Sequence, residues 1–126
     1  MYIELNMEKI KILVFDDELS EISKIYIGLL LKNFLVEATT DPGEIATRAE
    51  RMKPDIAIVN ADVKGFDAHD VCKLVKKEMK IPIILLLEKD STTDLKINSC
   101  DADEIIYKPV DIEQLERKID LLQIKG

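Results

Sequence analysis

Three places in the chain carry residues that could do chemistry together: the acidic pair Asp16-Asp17, the amide Asn60, and Lys108. Each follows a short apolar run, IKILVF before the acidic pair, DIAIV before Asn60 and EIIY before Lys108. Runs of that length and character read as buried strands. An open α/β sheet gathers its functional groups at the carboxyl ends of its strands, so the three places would meet in one crevice. Two carboxylates beside a lysine can bind a hard cation or a phosphoryl group. The same residues allow a plainer reading, in which Asp16-Asp17 caps the first helix and Lys108 is solvated. Spacing alone leaves both open.

The elements that must position these residues follow from pattern. Ile10 to Phe15 reads as the first strand, and Leu19 to about Asn33 as a helix with Leu19, Ile22, Tyr26, Leu29 and Leu30 on one face. Ile27 and Leu31 widen that apolar arc beyond what one sheet face needs. Something should therefore cover them: the apolar Tyr2 to Met7 segment, the last helix or a second protomer. Phe34 to Thr39 is the second strand. Asp41-Pro42 starts a helix, Asp41 as cap and Pro42 in first position, with Ile45, Ala49 and Met52 inward. Lys53-Pro54 ends it, and the third strand, Asp55 to Val59, is closed by Asn60. A helix from about Ala68 to Met79 and a fourth strand, Ile81 to Leu87, come next. Asp90 to Cys100 has the place of a helix but a weak pattern, because Leu95 and Ile97 do not share a face and Ser, Thr and Asn are abundant. Glu104 to Tyr107 is the fifth strand. Asp111 then caps a last helix in capping-box spacing with Gln114, with Ile112, Leu115, Ile119 and Leu122 as its apolar stripe. Strand and helix alternating in this way give a doubly wound parallel sheet with helices on both faces, a three-layer α/β domain.

Length and charge exclude several classes. At 126 residues the chain is one domain, with a core over about residues 9–124, and it could belong to a longer protein. A net charge of −7 makes it a poor partner for nucleic acid and for anionic membranes. The longest apolar run is too short to span a bilayer, and no leader pattern is present, which points to the cytoplasm. Cys72 and Cys100 have neither metal-ligand nor disulfide spacing and read as half-buried thiols. His69, beside Asp70 at the start of a helix, reads as solvated rather than as a ligand.

The segments KILVFDDE, PDIAIVNADVKGFD, IPIILLLEKD and IIYKPV, in this order and spacing, resemble the landmark segments of the receiver domain of two-component response regulators. The resemblance spans roughly Lys9 to Ile124. It implies the flavodoxin-like (βα)5 fold with strand order 2-1-3-4-5, and a signalling module rather than an enzyme. It also implies that Asp16 and Asp17 match the acidic pair that helps bind Mg²⁺, and that Lys108 matches the lysine that pairs with the phosphoryl group. Three positions depart. The phosphoacceptor aspartate is Asn60 here, the threonine or serine ending strand four is Leu87, and the aromatic switch residue of strand five is Ile105, with Tyr107 two positions on.

The departures have chemical consequences. A carboxylate attacks phosphorus because it is an anionic nucleophile, whereas an amide is neutral and its nitrogen lone pair is delocalised. Losing that carboxylate also removes a charge from the cation site, so Asp16 and Asp17 are expected to bind Mg²⁺ weakly or not at all, and Lys108 to lie against one of them. No other cofactor is expected. The resulting expectation is a degenerate receiver that is not phosphorylated and acts by binding a protein partner or output domain, or by forming a homodimer. The alternative is a working receiver, with Asp62 as surrogate acceptor or with an Asp-to-Asn change introduced at 60. Asp62 lies in a loop, where Lys64 could pair with it, and Leu87 opposes both versions. A flavodoxin-like cofactor carrier is disfavoured, because Asp16-Asp17-Glu18 would repel a phosphate after strand one.

Overall fold

The apolar runs form a five-stranded parallel sheet in the order β2-β1-β3-β4-β5. The computed structural model describes residues 9–63, 70, 73, 76, 79–88 and 102–125. Its strands are β1 (Lys11–Phe15), β2 (Leu35–Thr39), β3 (Ile56–Asn60), β4 (Ile83–Leu87) and β5 (Glu104–Tyr107). Helix α1 (Leu19–Leu31) joins β1 to β2, α2 (Ile45–Met52) joins β2 to β3, and α3 (Ile112–Lys125) follows β5. This is the flavodoxin-like architecture. The helices expected at about 68–79 and within 90–100 fall outside the described residues, apart from isolated positions in the first.

Sequence chemistry accounts for the element ends. Asn33 adopts a left-handed φ of 72°; its N–H bonds to Leu30 O and that of Phe34 to Leu29 O, which closes α1. Asp41 caps through a 2.8 Å bond from Gly43 N, but the turn it opens, Pro42–Glu44, is 3₁₀ before α2 begins at Ile45. Asp111 Oδ1 accepts from the N–H groups of Glu113 and Gln114 at 2.9 and 3.3 Å, satisfying two of the free donors at the start of α3.

Every residue of β3 and β4 is buried, as continuous apolar runs covered on both faces should be. Ile12, Val14, Ile58, Ile84 and Leu86 meet α1 and α3 on one face. Leu13, Phe15, Val59, Leu85 and Leu87 meet Ile45 and Ala49 of α2 on the other. The buried face of α1 is Ile22, Ile25 and Leu29: of the expected face Ile22 and Leu29 are buried, whereas Leu19, Tyr26 and Leu30 are exposed. The apolar arc of this helix is so wide that period alone does not fix its centre; the sheet selects the 22-25-29 stripe. Ile27 and Leu31 stay 56% and 81% exposed, so α3 does not cover them, and the Tyr2 to Met7 segment lies outside the described residues.

Helix α3 instead packs beside α1 on the side of Gly28 and Lys32. Lys32 Nζ donates to Glu113 Oε1 at 2.6 Å and lies 3.3 Å from Glu116 Oε1. The Glu113 hydrogen bond is the main reason the Lys32 ammonium is held above its ordinary pKa, with desolvation opposing. A raised pKa on a cation means that this contribution is present at neutral pH and is lost only as alkaline pH titrates Lys32 in the folded chain. The Ile112 side chain packs directly on Gly28, where an added Cβ would lie 2.7 Å from Ile112 Cγ1 and Cδ1. Overpacking there should cost about 1–3 kcal/mol, more than the roughly 1 kcal/mol that alanine gains over glycine in a helix. Gly28→Ala is therefore expected to lower the unfolding free energy measured in urea. Combining it with Ile112→Ala should cost less than the sum of the single changes, and simple additivity would show that the close approach is not what constrains this pair.

Candidate functional site

The carboxyl ends of β1, β3 and β5 bring Asp16, Asn60 and Lys108 together, and all three side chains are buried. Asp16 follows directly on the apolar run of β1 and lies between the ends of β2 and β3. Lys108 Nζ is 2.8 Å from Asp16 Oδ2. The contact is an ion pair; Asp16 Oδ2 accepts no directed hydrogen bond. Asp16 Oδ1 accepts from Asn60 Nδ2 at 3.0 Å and from the Glu18 N–H at 3.0 Å. Asp16 thus serves the turn into α1 as well as the crevice, whereas the reading of Lys108 as solvated fails: its side chain is 5% exposed. Asp17 is exposed, with Oδ1 3.5 Å from Asn60 Nδ2.

The Asn60 amide has one orientation that fits. Its NH₂ faces the carboxylates of Asp16 and Asp17, while its Oδ1 accepts from the Asp62 N–H at 3.1 Å. Turning the amide over would set oxygen against carboxylate oxygen and NH₂ against an N–H donor. A divalent cation needs oxygen ligands, and at this place the third residue presents hydrogens. Asp16 already spends one oxygen on two donors and the other on Lys108. Among the described residues, no three Asp, Glu, His or Cys side chains are grouped so as to hold a metal ion. The residues present do not fit Mg²⁺.

The remaining site positions surround this cluster. Leu87 is fully buried, packs in the α2-side core and offers no hydroxyl; Ile105 packs against the same cluster; Tyr107, in register with Leu87, is 43% exposed. Asp62 Oδ2 accepts from the Glu88 N–H at 2.6 Å, a link between the β3 loop and the end of β4. The sequence offered Asp62 as a surrogate phosphoryl acceptor or as a partner of Lys64, and gave no sign of Glu88, because a backbone donor leaves no residue-type signal. Lys64, His69, Cys72 and Cys100 lie outside the described residues.

Asp16 and Lys108 each need the other. Removing one partner of a buried pair leaves an uncompensated charge, so Lys108→Met should lower stability by about 3–5 kcal/mol in denaturant unfolding at neutral pH. Adding Asp16→Asn should recover much of that loss, and a cost for Lys108→Met below about 1 kcal/mol would contradict the pairing.

No protein-family model matches the chain. It is similar to the DNA-binding response regulator MtrA of Mycobacterium leprae, 26% identical over 110 residues that make up 86% of this chain and 49% of that protein. It is also similar to the probable transcriptional regulator ycf27 of Porphyridium aerugineum, 31% identical over 117 residues, 90% of this chain and 48% of that one. The chain spans about half the length of the curated relatives it matches. Among solved structures it resembles the signal receiver domain of a modulated diguanylate cyclase from Desulfovibrio desulfuricans, with a TM-score of 0.85 at 20% identity, covering 94% of this chain and 96% of that one. A chemotaxis protein of Vibrio cholerae gives 0.81 at 20% identity, covering 91% and 99%. At these identities the structural likeness shows the fold alone.

Proposed function

From its likeness to response regulators and to solved signal receiver domains, we propose that this chain is a receiver-type module of two-component signalling that takes neither a phosphoryl group nor Mg²⁺ and acts through a protein partner or output domain. The observation that carries this reading is the Asn60 amide, which stands at the acceptor position with its NH₂ on Asp16 and Asp17 and its oxygen on the Asp62 N–H. It is uncharged, has no free nucleophilic electron pair on nitrogen, and blocks the cation that would offset the charge of an incoming phosphate. Leu87 and Ile105, which lack the hydroxyl and ring of the family's switch, support the same conclusion.

Contact with protein is favoured over contact with nucleic acid or membrane. The net charge is −7, and no described helix is long and apolar enough to cross a membrane. Among the described residues, Leu19, Ile27, Leu30 and Leu31 expose an apolar flank along α1 of the kind that marks a protein-binding face, whether for an output domain or a second copy. The module is proposed to work in the cytoplasm and to catalyse nothing itself. In this reading the DNA binding for which MtrA is named belongs to the half of that protein that this chain does not match. The rival reading, phosphorylation on Asp62, is opposed by the use of that carboxylate on Glu88.

Incubation of the chain with a small acyl-phosphate donor and Mg²⁺, followed by intact-mass spectrometry, should show no phosphoryl adduct. A substantial adduct would overturn the reading, and its loss in Asp62→Asn would assign it to that residue.

A further inference from the structure

A closed circuit of contacts runs over the carboxyl end of the sheet. Lys108 Nζ pairs with Asp16, Asp16 Oδ1 accepts from Asn60 Nδ2, and Asn60 Oδ1 accepts from the Asp62 N–H. Asp62 Oδ2 accepts from the Glu88 N–H, and Leu87 O, in the same peptide unit as that N–H, accepts from the Lys108 N–H at 2.7 Å. The circuit joins the ends of β1, β3, β4 and β5.

One member has a specific consequence. An anion attached at residue 60 would need donors from the end of β4. The Leu87 side chain has none; among the described residues the Glu88 N–H stands in that place, and the Asp62 carboxylate already holds it at 2.6 Å. A carboxylate on a backbone N–H is a charge-assisted bond, stronger than a neutral one. Because Asp62 is tied to the chain only two residues beyond Asn60, its carboxylate stands at the site permanently, independent of any donor or kinase.

We propose that Asp62 is a resident anion, whose carboxylate fixes the end of β4 where an acquired phosphoryl group would otherwise be required, so that the site keeps one arrangement without a covalent signal. This rests on the reading of the chain as a receiver without an acceptor, and it names the regulation of that site: the signal is replaced by a built-in charge. A phosphoryl group acts as a switch only by favouring one of two states. Here the internal carboxylate makes that choice.

Amide hydrogen exchange of the whole isotope-labelled chain, followed by NMR, tests the assignment. In Asp62→Ala the Glu88 amide should exchange about tenfold faster or more, the order expected for losing a charge-assisted bond, while Ile58 and Leu85 keep their protection. Equal Glu88 exchange in wild type and Asp62→Ala would overturn the proposal. If Asp62→Ala loses protection everywhere, Asp62→Asn decides: it keeps the shape and removes the charge, so faster exchange confined to Glu88 supports the resident anion and unchanged exchange overturns it. These outcomes are separate from the mass measurement, since a phosphoryl adduct would defeat the receiver reading while leaving Glu88 exchange to be judged by itself.

Discussion

Burying the Asp16 carboxylate is the constraint on which the rest of the site depends. A carboxylate out of water is tolerated only when charge and hydrogen bonds replace its solvent. The structure supplies the Lys108 ammonium on one oxygen, and the Asn60 amide and Glu18 N–H on the other. Once these are in place, Asp16 has little left to offer a metal ion. An aspartate at position 60 would add a second negative group against Asp16 and would call for a cation; an asparagine supplies donors instead. In this sense the amide at 60 does electrostatically, in part, what a bound cation would do.

The fold makes such a cluster inexpensive to position. Parallel strands deliver Asp16, Asn60 and Lys108 from segments far apart in sequence to one edge of the sheet. The register places Phe15 beside Val59, Asn60 beside Leu86 and Leu87 beside Tyr107, so the ends are level. Below them the apolar layers on both faces hold the strands rigid. Leu87 is part of the core on the α2 side, and Ile105 packs against the same cluster.

Much of this is legible in the sequence, for identifiable reasons. The continuous apolar runs of β3 and β4, the Asp41 and Asp111 caps, and the convergence of strand ends all follow from local pattern and general sheet topology. The contact of Lys108 with an acidic residue follows from charge. The buried face of α1 does not, because Leu19, Ile22, Ile25, Tyr26, Leu29 and Leu30 together span so much of the helix that only tertiary packing selects among them. Nor does the orientation of the Asn60 amide, which depends on the Asp62 N–H, or the bond from Glu88 to Asp62. Both involve backbone donors, and every residue except proline has one, so residue type carries no trace of them.

The central claim is that Asn60 stands in the site as a donor that excludes the cation. Thermal unfolding with increasing Mg²⁺, run side by side on the wild-type chain and on Asn60→Asp, tests it most directly, because a ligand that binds only the folded state raises the midpoint with its concentration. The midpoint of the wild-type chain is expected not to respond to Mg²⁺, and that of Asn60→Asp to start lower and climb as Mg²⁺ is added. A wild-type midpoint that climbs as steeply as that of Asn60→Asp would contradict it.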